Sequence, residues 1–408
     1  MSQQGPILVI STSGRPSFAA GLDEAKLFPV IDTDWAEALQ AIEQLRPGAV
    51  IAAMSDFNQS AFVAVAGKIA SREPYLPLIA VDPRGVLPEN AIPFTHDKAH
   101  PDRLLARLNA SLRVRSLHTT VMRRLDPARR MTISDIDTIR DATVLLIGRG
   151  GAYPALSVAL GERIGVVGAL SIEAAANHLN TRDIDGIVLG EGFSPRVVDA
   201  FLTVLAEDSR FRNLPVVASL GDLAPGYALP NLEIVTGDPA TIAATALPLI
   251  RQHAFEALLA RTLRAVEADG LIDARTGLLT QAAFDRDFAT AIYQAQSRGS
   301  GLSAARFAFD PEHPRAQFDG ARIISRLMRQ SDFGVAGKDG AVIVAFAETD
   351  LRNAHMIARR LSAVMRHTSH GKRDTGAEPQ VTVATLLQND SAKSLLARLA
   401  SEAQRAAS

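Results

Sequence analysis

Short apolar runs alternate with amphipathic helical stretches along the first part of this chain. Three of these runs have the length of strands: Ile7–Ile10, Val50–Ala53 and Leu78–Val81. Continuous apolar runs of this kind are typical of strands buried on both faces of a parallel sheet. Helical spacing over 36–45 and 60–69 fills the intervals between them. This alternation predicts a doubly wound α/β domain over residues 1–118.

The same pattern returns after a polar, arginine-rich stretch that predicts a helical linker over 119–140. The later strand-like runs are Thr143–Ile147, Gly186–Leu189 and Leu214–Ala218. They predict a second doubly wound domain over 141–255. Helical spacing from Thr245 to Val266 predicts either an extended last helix or a linker helix leading through 256–272.

The pattern changes over residues 273–408. Apolar residues at helical spacing, from Ile323 to Met328, are followed by a stretch containing Gly337 and Gly340, and then by the run Ile343–Phe346. A helix followed by a glycine-containing hairpin predicts a mixed α+β domain. The predicted fold class is therefore α/β, with two doubly wound domains and one α+β domain.

Composition narrows the class of protein. The chain has 408 residues, 47% hydrophobic and 21% charged, with a net charge of -1. This near-neutral balance argues against a nucleic-acid or membrane surface dominated by charge. Zero cysteines exclude disulfides and thiolate chemistry. Without a membrane-length apolar run or a signal-peptide pattern, a cytoplasmic location is predicted.

Residues 273–284 carry a recognisable motif. Asp273-Ala274-Arg275-Thr276-Gly277-Leu278, followed by Phe284, resembles the entry motif of GGDEF domains, the diguanylate cyclase family. The resemblance implies a GGDEF-like fold for the last domain.

A second motif in this domain resembles the inhibitory site of the same family. Arg329 and Asp332 match its Arg-x-x-Asp, and Arg360 matches the arginine on the following helix. The resemblance implies that these side chains bind cyclic di-GMP, with Arg359 as a helper. Guanidinium groups pair with phosphates and guanine edges, and a carboxylate accepts hydrogen bonds from guanine N–H groups.

The family's catalytic signature is altered. Lys338, Asp339, Gly340 and Ala341 stand at its place, where the family has glycines that approach the triphosphate and acids that handle magnesium. The resemblance therefore implies that the protein is not an enzyme and needs no metal. Residual cyclase activity through Asp339 and Asp310 is the alternative.

The first two domains resemble receiver domains of two-component signalling. Ala53 and Gly190 stand at the phosphoacceptor positions, so both domains are predicted to be pseudo-receivers. Asp56 could substitute as acceptor, although a solvated loop residue or helix cap is the better interpretation. Glu191 is either a phosphorylation mimic or an ordinary loop acid.

Other candidate sites are weaker. Gly148-Arg149-Gly150-Gly151 follows a strand, but Tyr153 stands where a dinucleotide-binding loop has its third glycine. The histidine pairs His96/His100 and His367/His370 have no third metal ligand in sequence.

The sequence thus predicts a response-regulator-like, catalytically inactive effector of cyclic di-GMP. It is expected to act through protein partners, as an adaptor or with polar localisation factors, in bacterial signalling or cell-cycle control. A homodimer is one option, and a cell pole is one predicted location. No nucleic acid or membrane insertion is expected. The alternatives are a residual diguanylate cyclase and a scaffold that acts independently of nucleotide.

Overall fold

The structure, a computed structural model, describes residues 5–12, 14–55, 59–83, 85–97, 99–125, 137–220, 223, 226–310, 314–365 and 379–407. They form a mixed α/β protein with two sheets built of parallel strands and one antiparallel sheet. Two compact units divide the chain: the first comprises 1–160, 169–172 and 185–259, and the second comprises 161–168, 173–184 and 260–408. No helix within the described ranges has the length and apolar character needed to cross a membrane.

The first sheet has the strand order β2-β1-β3-β4-β5, and all its pairs are parallel. Its elements are β1 (Ile7–Ile10), α1 (Ala19–Glu24), β2 (Val30–Thr33), α2 (Ala38–Leu45), β3 (Ala49–Ala53), α3 (Gln59–Ala70), β4 (Leu78–Val81), β5 (Ala91–Phe94) and α4 (Asp102–Arg124). The strands β1, β3 and β4 are buried throughout, as the continuous apolar runs predict.

The second sheet repeats this arrangement with the order β10-β9-β8-β6-β7. Its elements are β6 (Thr143–Ile147), α5 (Tyr153–Gly161), β7 (Gly165–Ala169), α6 (Ile172–Thr181), β8 (Gly186–Leu189), α7 (Pro195–Glu207), β9 (Val216–Ala218), β10 (Leu232–Ile234) and α8 (Pro239–Glu267). In both sheets the order reverses beside the first strand, which is the doubly wound topology. The assignment of these sheets to receiver domains stays a prediction.

The third sheet is antiparallel, with the order β12-β13-β11-β14. Its elements are α9 (Gln281–Arg298), β11 (Leu302–Ala308), α10 (Pro314–Leu327), β12 (Phe333–Ala336), β13 (Ala341–Ala347), α11 (Leu351–Met365), β14 (Gln380–Thr385) and α12 (Ala392–Ala407). Alternate residues of β11 point to opposite faces. Phe307 packs with α10 and α11, whereas Ala304 packs with α9 and α12.

The sequence pattern does not predict the strands at the margins of the two parallel sheets. These edge strands are β2, β5, β7 and β10, and β5 contains Pro93. An edge strand tolerates proline because one side of its backbone needs no ladder partner. The same proline hides β5 from pattern analysis.

Two helices extend past predicted boundaries. The helix α4 continues to Arg124, beyond the predicted domain end at 118, and α8 runs through the predicted boundary at 255 as one helix. The rest of the predicted 119–140 linker lies largely outside the described residues. The domain boundaries themselves stay predictions.

Candidate functional site

A cavity of about 360 Å³ lies beside α11 in the second unit. We call it the α10–α11 cavity. Its lining residues are Arg329, Glu348, Thr349, Asn353, Met356, Ile357 and Arg360. Three short segments supply them: the chain just after α10, the loop after β13, and one face of α11. Arg329 and Arg360, which the sequence pairs across a long interval, thus line the same cavity.

Helix geometry explains why α11 presents this face. Asn353, Met356 and Arg360 recur at spacings of three and four residues and therefore share one side of the helix. The opposite side carries Ala358 and Leu361, which are buried in the domain core. This burial fixes the rotation of the helix, so the polar face is directed at the cavity.

The start of α11 is fixed by a cap. Asp350 precedes the first helical residue, and its Oδ1 accepts a hydrogen bond of 2.8 Å from the backbone N–H of Asn353. A carboxylate at this position accepts a hydrogen bond from an otherwise unpaired N–H group, and its negative charge interacts favourably with the helix dipole. The cap therefore sets where the cavity-lining face begins.

Among the residues that the structure describes, the charged groups of the cavity have no ion-pair partners. The guanidinium groups of Arg329 and Arg360 are exposed, and within the described ranges neither makes an ion pair or a hydrogen bond. The same holds for the carboxylate of Glu348. The cavity therefore offers two cationic forks and one acceptor to a ligand.

Glu348 has a backbone conformation that is unusual for its residue type. Its φ is 50°, in the left-handed region that a residue with a Cβ occupies at a cost. Such strain concentrates at functional sites. Glu348 belongs to no sequence motif, and only its position directly after β13 could have drawn attention to it.

Asp332 lies in a different environment from the predicted one. It is only 8% exposed and is absent from the cavity lining. Its backbone N–H donates to the carbonyl of Arg329 at 3.0 Å. Burial raises the pKa of the Asp332 carboxyl above its ordinary value, and the backbone N–H groups of Arg329 and Ala347, the positive charge of Arg329 and the Ser331 hydroxyl oppose part of that shift. Asp332 thus supports the turn that carries Arg329.

Arg359 is exposed on α11 but also lies outside the cavity lining. Successive helical residues point in directions about 100° apart, so Arg359 and Arg360 cannot share one face. The structure therefore separates the predicted helper from its neighbour.

The four altered signature positions form a hairpin turn between β12 and β13. Gly340 has a φ of 79°, and Lys338 and Asp339 are exposed, whereas Ala341 is fully buried at the start of β13. A neighbouring strand holds the turn through its Arg306 side chain, whose Nη2 donates to Asp339 Oδ2 at 2.9 Å.

Asp339 and a glutamine stabilise this turn. Partial burial alone would raise the pKa of Asp339, but the hydrogen bond from Arg306, the backbone N–H of Ala341 and the charge of Arg306 together hold it below its usual value. Gln317 Nε2 donates to the carbonyls of Gly337 at 2.6 Å and Ala341 at 3.0 Å. No motif in the sequence indicated Gln317.

Asp310 follows β11 at the same end of the sheet. The backbone N–H of Phe309 donates to the carbonyl of Gly340 at 3.1 Å, which places the end of β11 beside the hairpin. Asp310 is exposed there, while the adjoining 311–313 segment lies outside the described residues.

The entry motif forms a compact loop between α8 and α9. The Asp273 carboxylate accepts hydrogen bonds from the backbone N–H groups of Arg275 and Thr276 and from the Thr276 hydroxyl, the last at 2.6 Å. Gly277 adopts a φ of 75°, and Leu278 enters the domain core. These matched positions of the motif therefore have structural roles in this loop.

The predicted phosphoacceptor positions lie at the carboxyl ends of strands. Ala53 ends β3 and is 9% exposed, and Gly190 follows β8 with its N–H donating to the carbonyl of Ile147 at 2.8 Å. Glu191 is exposed beside Gly190. Asp56 lies outside the described residues, so its two interpretations both stay predictions.

Contacts with neighbouring loops account for Arg149 and Gly150 in the Gly148 to Gly151 loop. The guanidinium of Arg149 lies 5.3 Å from the ring centroid of Phe193, and its Nε donates to the carbonyl of Leu170. A Cβ on Gly150 would lie 2.9 Å from the Glu191 side chain. Close packing against the neighbouring loop thus accounts for this glycine.

The histidines of the first candidate metal pair contact other side chains. His100 Nδ1 lies 2.8 Å from Asp97 Oδ2, and the His96 ring packs edge-on to Phe18. His367 and His370 lie outside the described residues. The described parts of the chain contain no group of three or more histidine, aspartate or glutamate residues that could hold a metal. Whether the protein uses a metal stays a prediction.

Comparisons with known proteins give structural neighbours only. No family model matches the chain, and no curated protein matches it. Solved GGDEF domains cover about a third of it. The coiled coil and GGDEF domain of DgcB from Caulobacter crescentus, in complex with c-di-GMP, is 18% identical over 36% of this chain and 86% of that chain, with a TM-score of 0.29.

Two further neighbours come from Pseudomonas aeruginosa. The FimX GGDEF domain is 16% identical over 34% of this chain and 93% of that chain, with a TM-score of 0.30. The diguanylate cyclase SiaD, in complex with its activator SiaC, is 16% identical over 35% of this chain and 62% of that chain, with a TM-score of 0.29.

One sequence-based prediction is corrected by these neighbours. The prediction that the protein is not an enzyme is contradicted, because the solved structures named above are GGDEF domains and one of them is a diguanylate cyclase. The prediction had rested on the side chains at Lys338 to Ala341 alone. Those positions form an ordered hairpin with an exposed carboxylate, and their substitution is not evidence that turnover is absent.

Proposed function

We propose that the second unit binds cyclic di-GMP in the α10–α11 cavity and that this binding controls association with a protein partner. The observation that carries the proposal is the pair of guanidinium groups, Arg329 and Arg360, that line one cavity without ion-pair partners among the described residues. Two charges of the same sign held near each other repel, so an anionic ligand is the expected occupant.

The chemistry of the ligand suits the cavity. Cyclic di-GMP carries two phosphates and two guanine bases. An arginine fork pairs bidentately with phosphate oxygens or with the O6 and N7 atoms of guanine. A cavity of about 360 Å³ is at the lower end of the size range of ligand sites. It would hold one end of the dinucleotide and leave the rest at the surface.

The roles within the proposed site differ from those in the motif. Arg329 and Arg360 would contact the ligand, and Glu348 would accept hydrogen bonds from guanine N–H groups. Asp332 would act as a positioning residue, because it is buried behind the turn that carries Arg329. Arg359 would add only long-range attraction, which salt screens.

The site is tested by calorimetric titration of the full chain with cyclic di-GMP. Each lost charge-assisted contact is worth roughly 1.5–3 kcal/mol, so Arg329→Ala and Arg360→Ala should each weaken binding by at least about tenfold. Arg352→Ala is the matched control, because Arg352 is exposed on the same helix but lies outside the cavity lining. Equal affinities for all three variants would refute the site.

The effector role is tested separately. Partners that co-purify with the wild-type chain in the presence of cyclic di-GMP should be lost with Arg360→Ala and retained with Arg352→Ala. An identical set of partners for both variants would refute the effector role, and only the binding of cyclic di-GMP would remain proposed. The same pair of variants tests the predicted localisation at a cell pole.

Diguanylate cyclase activity is the second candidate function. The observation that favours it is the placement of two exposed carboxylates, Asp310 and Asp339, at the ends of adjacent strands. Carboxylates on neighbouring strand ends suit magnesium. Turnover of GTP with magnesium, abolished by Asp339→Asn, would support this function, and equal turnover by the variant would exclude Asp339 from it.

A further inference from the structure

A cavity of about 280 Å³ lies within the first unit, and residues of α4 and α8 line it. We call it the α4–α8 cavity. The end of α3, the loop that follows it and the chain leading into β5 also contribute to its lining. The proposed dinucleotide site and the signature hairpin use none of these residues.

Three aromatic rings from separate segments line the α4–α8 cavity: Tyr75, His118 and Phe255. The centroid of the Phe255 ring lies 5.6 Å from that of Tyr75 and 5.4 Å from that of His118. Aromatic rings attract one another at such distances, and a planar ligand ring can join a cluster of this kind. The cluster therefore favours an aromatic ligand over a flexible aliphatic one.

His118 carries a buried hydrogen-bond donor. Its side chain is only 4% exposed, and its Nδ1 accepts a hydrogen bond of 2.7 Å from the backbone N–H of Tyr75. Burial lowers the pKa of His118, the charge of Glu73 opposes this shift, and that of Arg115 adds to it. The ring is therefore neutral at neutral pH, and its one proton is on Nε2. Nε2 has no hydrogen-bond partner among the described residues, so an acceptor on a ligand would remove the cost of burying it.

The Tyr75 hydroxyl is a second donor at the same cavity. Its oxygen accepts a hydrogen bond of 3.4 Å from Gln252 Nε2, which also donates to Ser111 Oγ at 3.1 Å. Burial raises the pKa of the Tyr75 hydroxyl, and the bond from Gln252 opposes only part of that shift, so the hydroxyl keeps its proton. Within the described ranges this hydroxyl donates no hydrogen bond. The cavity therefore requires acceptor atoms on its ligand.

The charged side chains in the lining are balanced in number, two arginines and two glutamates: Arg72, Arg251, Glu73 and Glu89. Arg251 Nη2 lies 2.5 Å from Glu89 Oε2. A ligand with a net charge would therefore meet like charges as well as opposite ones, and like charges repel. An uncharged ligand suits this lining best.

We infer that the α4–α8 cavity binds an uncharged, planar heteroaromatic molecule of the size of one nucleobase. Its ring would pack against the aromatic cluster, and its acceptor atoms would receive hydrogen bonds from His118 Nε2 and from the Tyr75 hydroxyl. The volume is just below the range usual for ligand sites. It therefore favours a single bicyclic ring over a whole nucleotide, whose phosphate would also add charge.

The experiment is a calorimetric titration of the full chain with adenine, which has ring nitrogens that accept hydrogen bonds. The wild type should show saturable one-site binding. Ala70→Trp places a bulky ring in the cavity lining at the end of α3 and should abolish this binding. Ala64→Trp is the matched control, because Ala64 is exposed on the same helix but lies outside the lining. It should bind adenine as the wild type does.

Indole tests the hydrogen bonds, since it has a similar bicyclic ring but no ring-nitrogen acceptor. It should bind the wild type about tenfold more weakly than adenine does. His118→Asn keeps an acceptor for the Tyr75 N–H, but its shorter side chain does not reach the place of Nε2. This variant should weaken adenine binding by about two- to tenfold and leave the affinity for indole unchanged.

Three results would overturn the inference: no saturable binding of adenine, equal binding by Ala70→Trp and Ala64→Trp, or indole binding as tightly as adenine. Arg360→Ala should bind adenine as tightly as the wild type. Loss of adenine binding in that variant would assign adenine to the α10–α11 cavity and would also overturn the inference. The proposed function is decided independently, by the titration with cyclic di-GMP.

Discussion

The acid that lines the cavity beside Arg329 is not the one that the sequence motif indicates. Asp332 belongs to the motif but is buried, whereas Glu348 belongs to no motif but lines the cavity. Asp332 and Glu348 are distant in sequence, and the pairing of β12 with β13 brings the start of one strand beside the end of the other. A carboxylate expected near the ligand could therefore be predicted from sequence, but its identity could not.

The buried acid leads to a pH-dependent prediction for Asp332→Asn. The folded-state pKa of Asp332 is raised, so the folded protein binds more protons than the unfolded chain between the ordinary aspartate pKa, about 4, and the raised value. Stability due to this group therefore falls as the pH rises through that window. An asparagine side chain cannot ionise, so the variant should lack this loss and should be the more stable protein at neutral pH.

Thermal unfolding of both proteins across the acid to neutral pH range measures this difference. The advantage of Asp332→Asn should be absent at the acid end and should grow as the pH increases. Asp350→Asn is a useful comparison, because Asp350 is an exposed helix cap whose carboxylate favours the folded state. An Asp332→Asn variant that loses stability at neutral pH would show that the ionised carboxylate stabilises the turn.

The entry-motif loop shows how one element depends on a single glycine. Gly277 has a φ of 75°, and a Cβ there would lie 2.8 Å from Ser325 Oγ. Its carbonyl also accepts a hydrogen bond of 3.0 Å from that hydroxyl. The sequence motif indicates that a glycine is needed, but its contact with α10 is visible only in the folded domain.

Gly277→Ala should therefore lower the free energy of unfolding by more than the cost of placing an alanine in a left-handed conformation. Gly270→Ala is the matched control, since Gly270 has a φ of 73° and no atom within 4 Å of an added Cβ. The control should cost about 1–2 kcal/mol, and Gly277→Ala about 1–3 kcal/mol more because of the clash. Urea unfolding followed by far-ultraviolet circular dichroism measures both.

A double variant checks the cause of that extra cost. Adding Ser325→Ala removes the hydroxyl that the new methyl group would meet, so it should recover part of the stability of Gly277→Ala. If Gly277→Ala and Gly270→Ala lose equal stability, contact with α10 is not the reason for the glycine.

On the scale of a whole unit, one buried ion pair connects the two parallel sheets. Arg107 of α4 is completely buried, and its Nη2 lies 2.8 Å from Glu233 Oε1 on β10. The same guanidinium donates to the carbonyl of Pro93 on β5 at 2.6 Å and to that of Pro230 at 2.7 Å. Glu233 Oε2 accepts from the backbone N–H of Thr95 at 3.1 Å. Nothing in the sequence pairs these residues.

Arg107→Ala should destabilise the first unit by roughly 3–5 kcal/mol, because it leaves Glu233 charged and buried without its partner. Arg113→Ala is the control, since Arg113 forms a half-exposed pair with Glu256, and such pairs contribute under about 1 kcal/mol. Hydrogen exchange at the amides of β5 and β10 gives the local readout. The double variant Arg107→Met with Glu233→Met should recover much of the lost stability. If Arg107→Ala costs no more stability than Arg113→Ala, the buried pair does not stabilise the unit.

Local patterns in the chain were enough to predict most of the architecture. Apolar runs and helical spacing identified the central strands of both parallel sheets and several of the helices, because burial on one or both faces imposes those periods on the sequence. Motif spacing indicated Arg329 and Arg360 as a pair. The strands and helices depend on residues close together in the sequence, and the Arg329 and Arg360 pair depends on the fixed spacing of a motif.

Folding settled the features that depend on residues distant in sequence. Edge strands such as β5 bury little or carry proline, so their pattern is weak. The exposure of Glu348, the burial of Asp332 and the pairing of Arg107 with Glu233 arise when separate segments pack together. Burial and charge pairing are properties of that packing, and the order of residues along the chain contains no local signal for them.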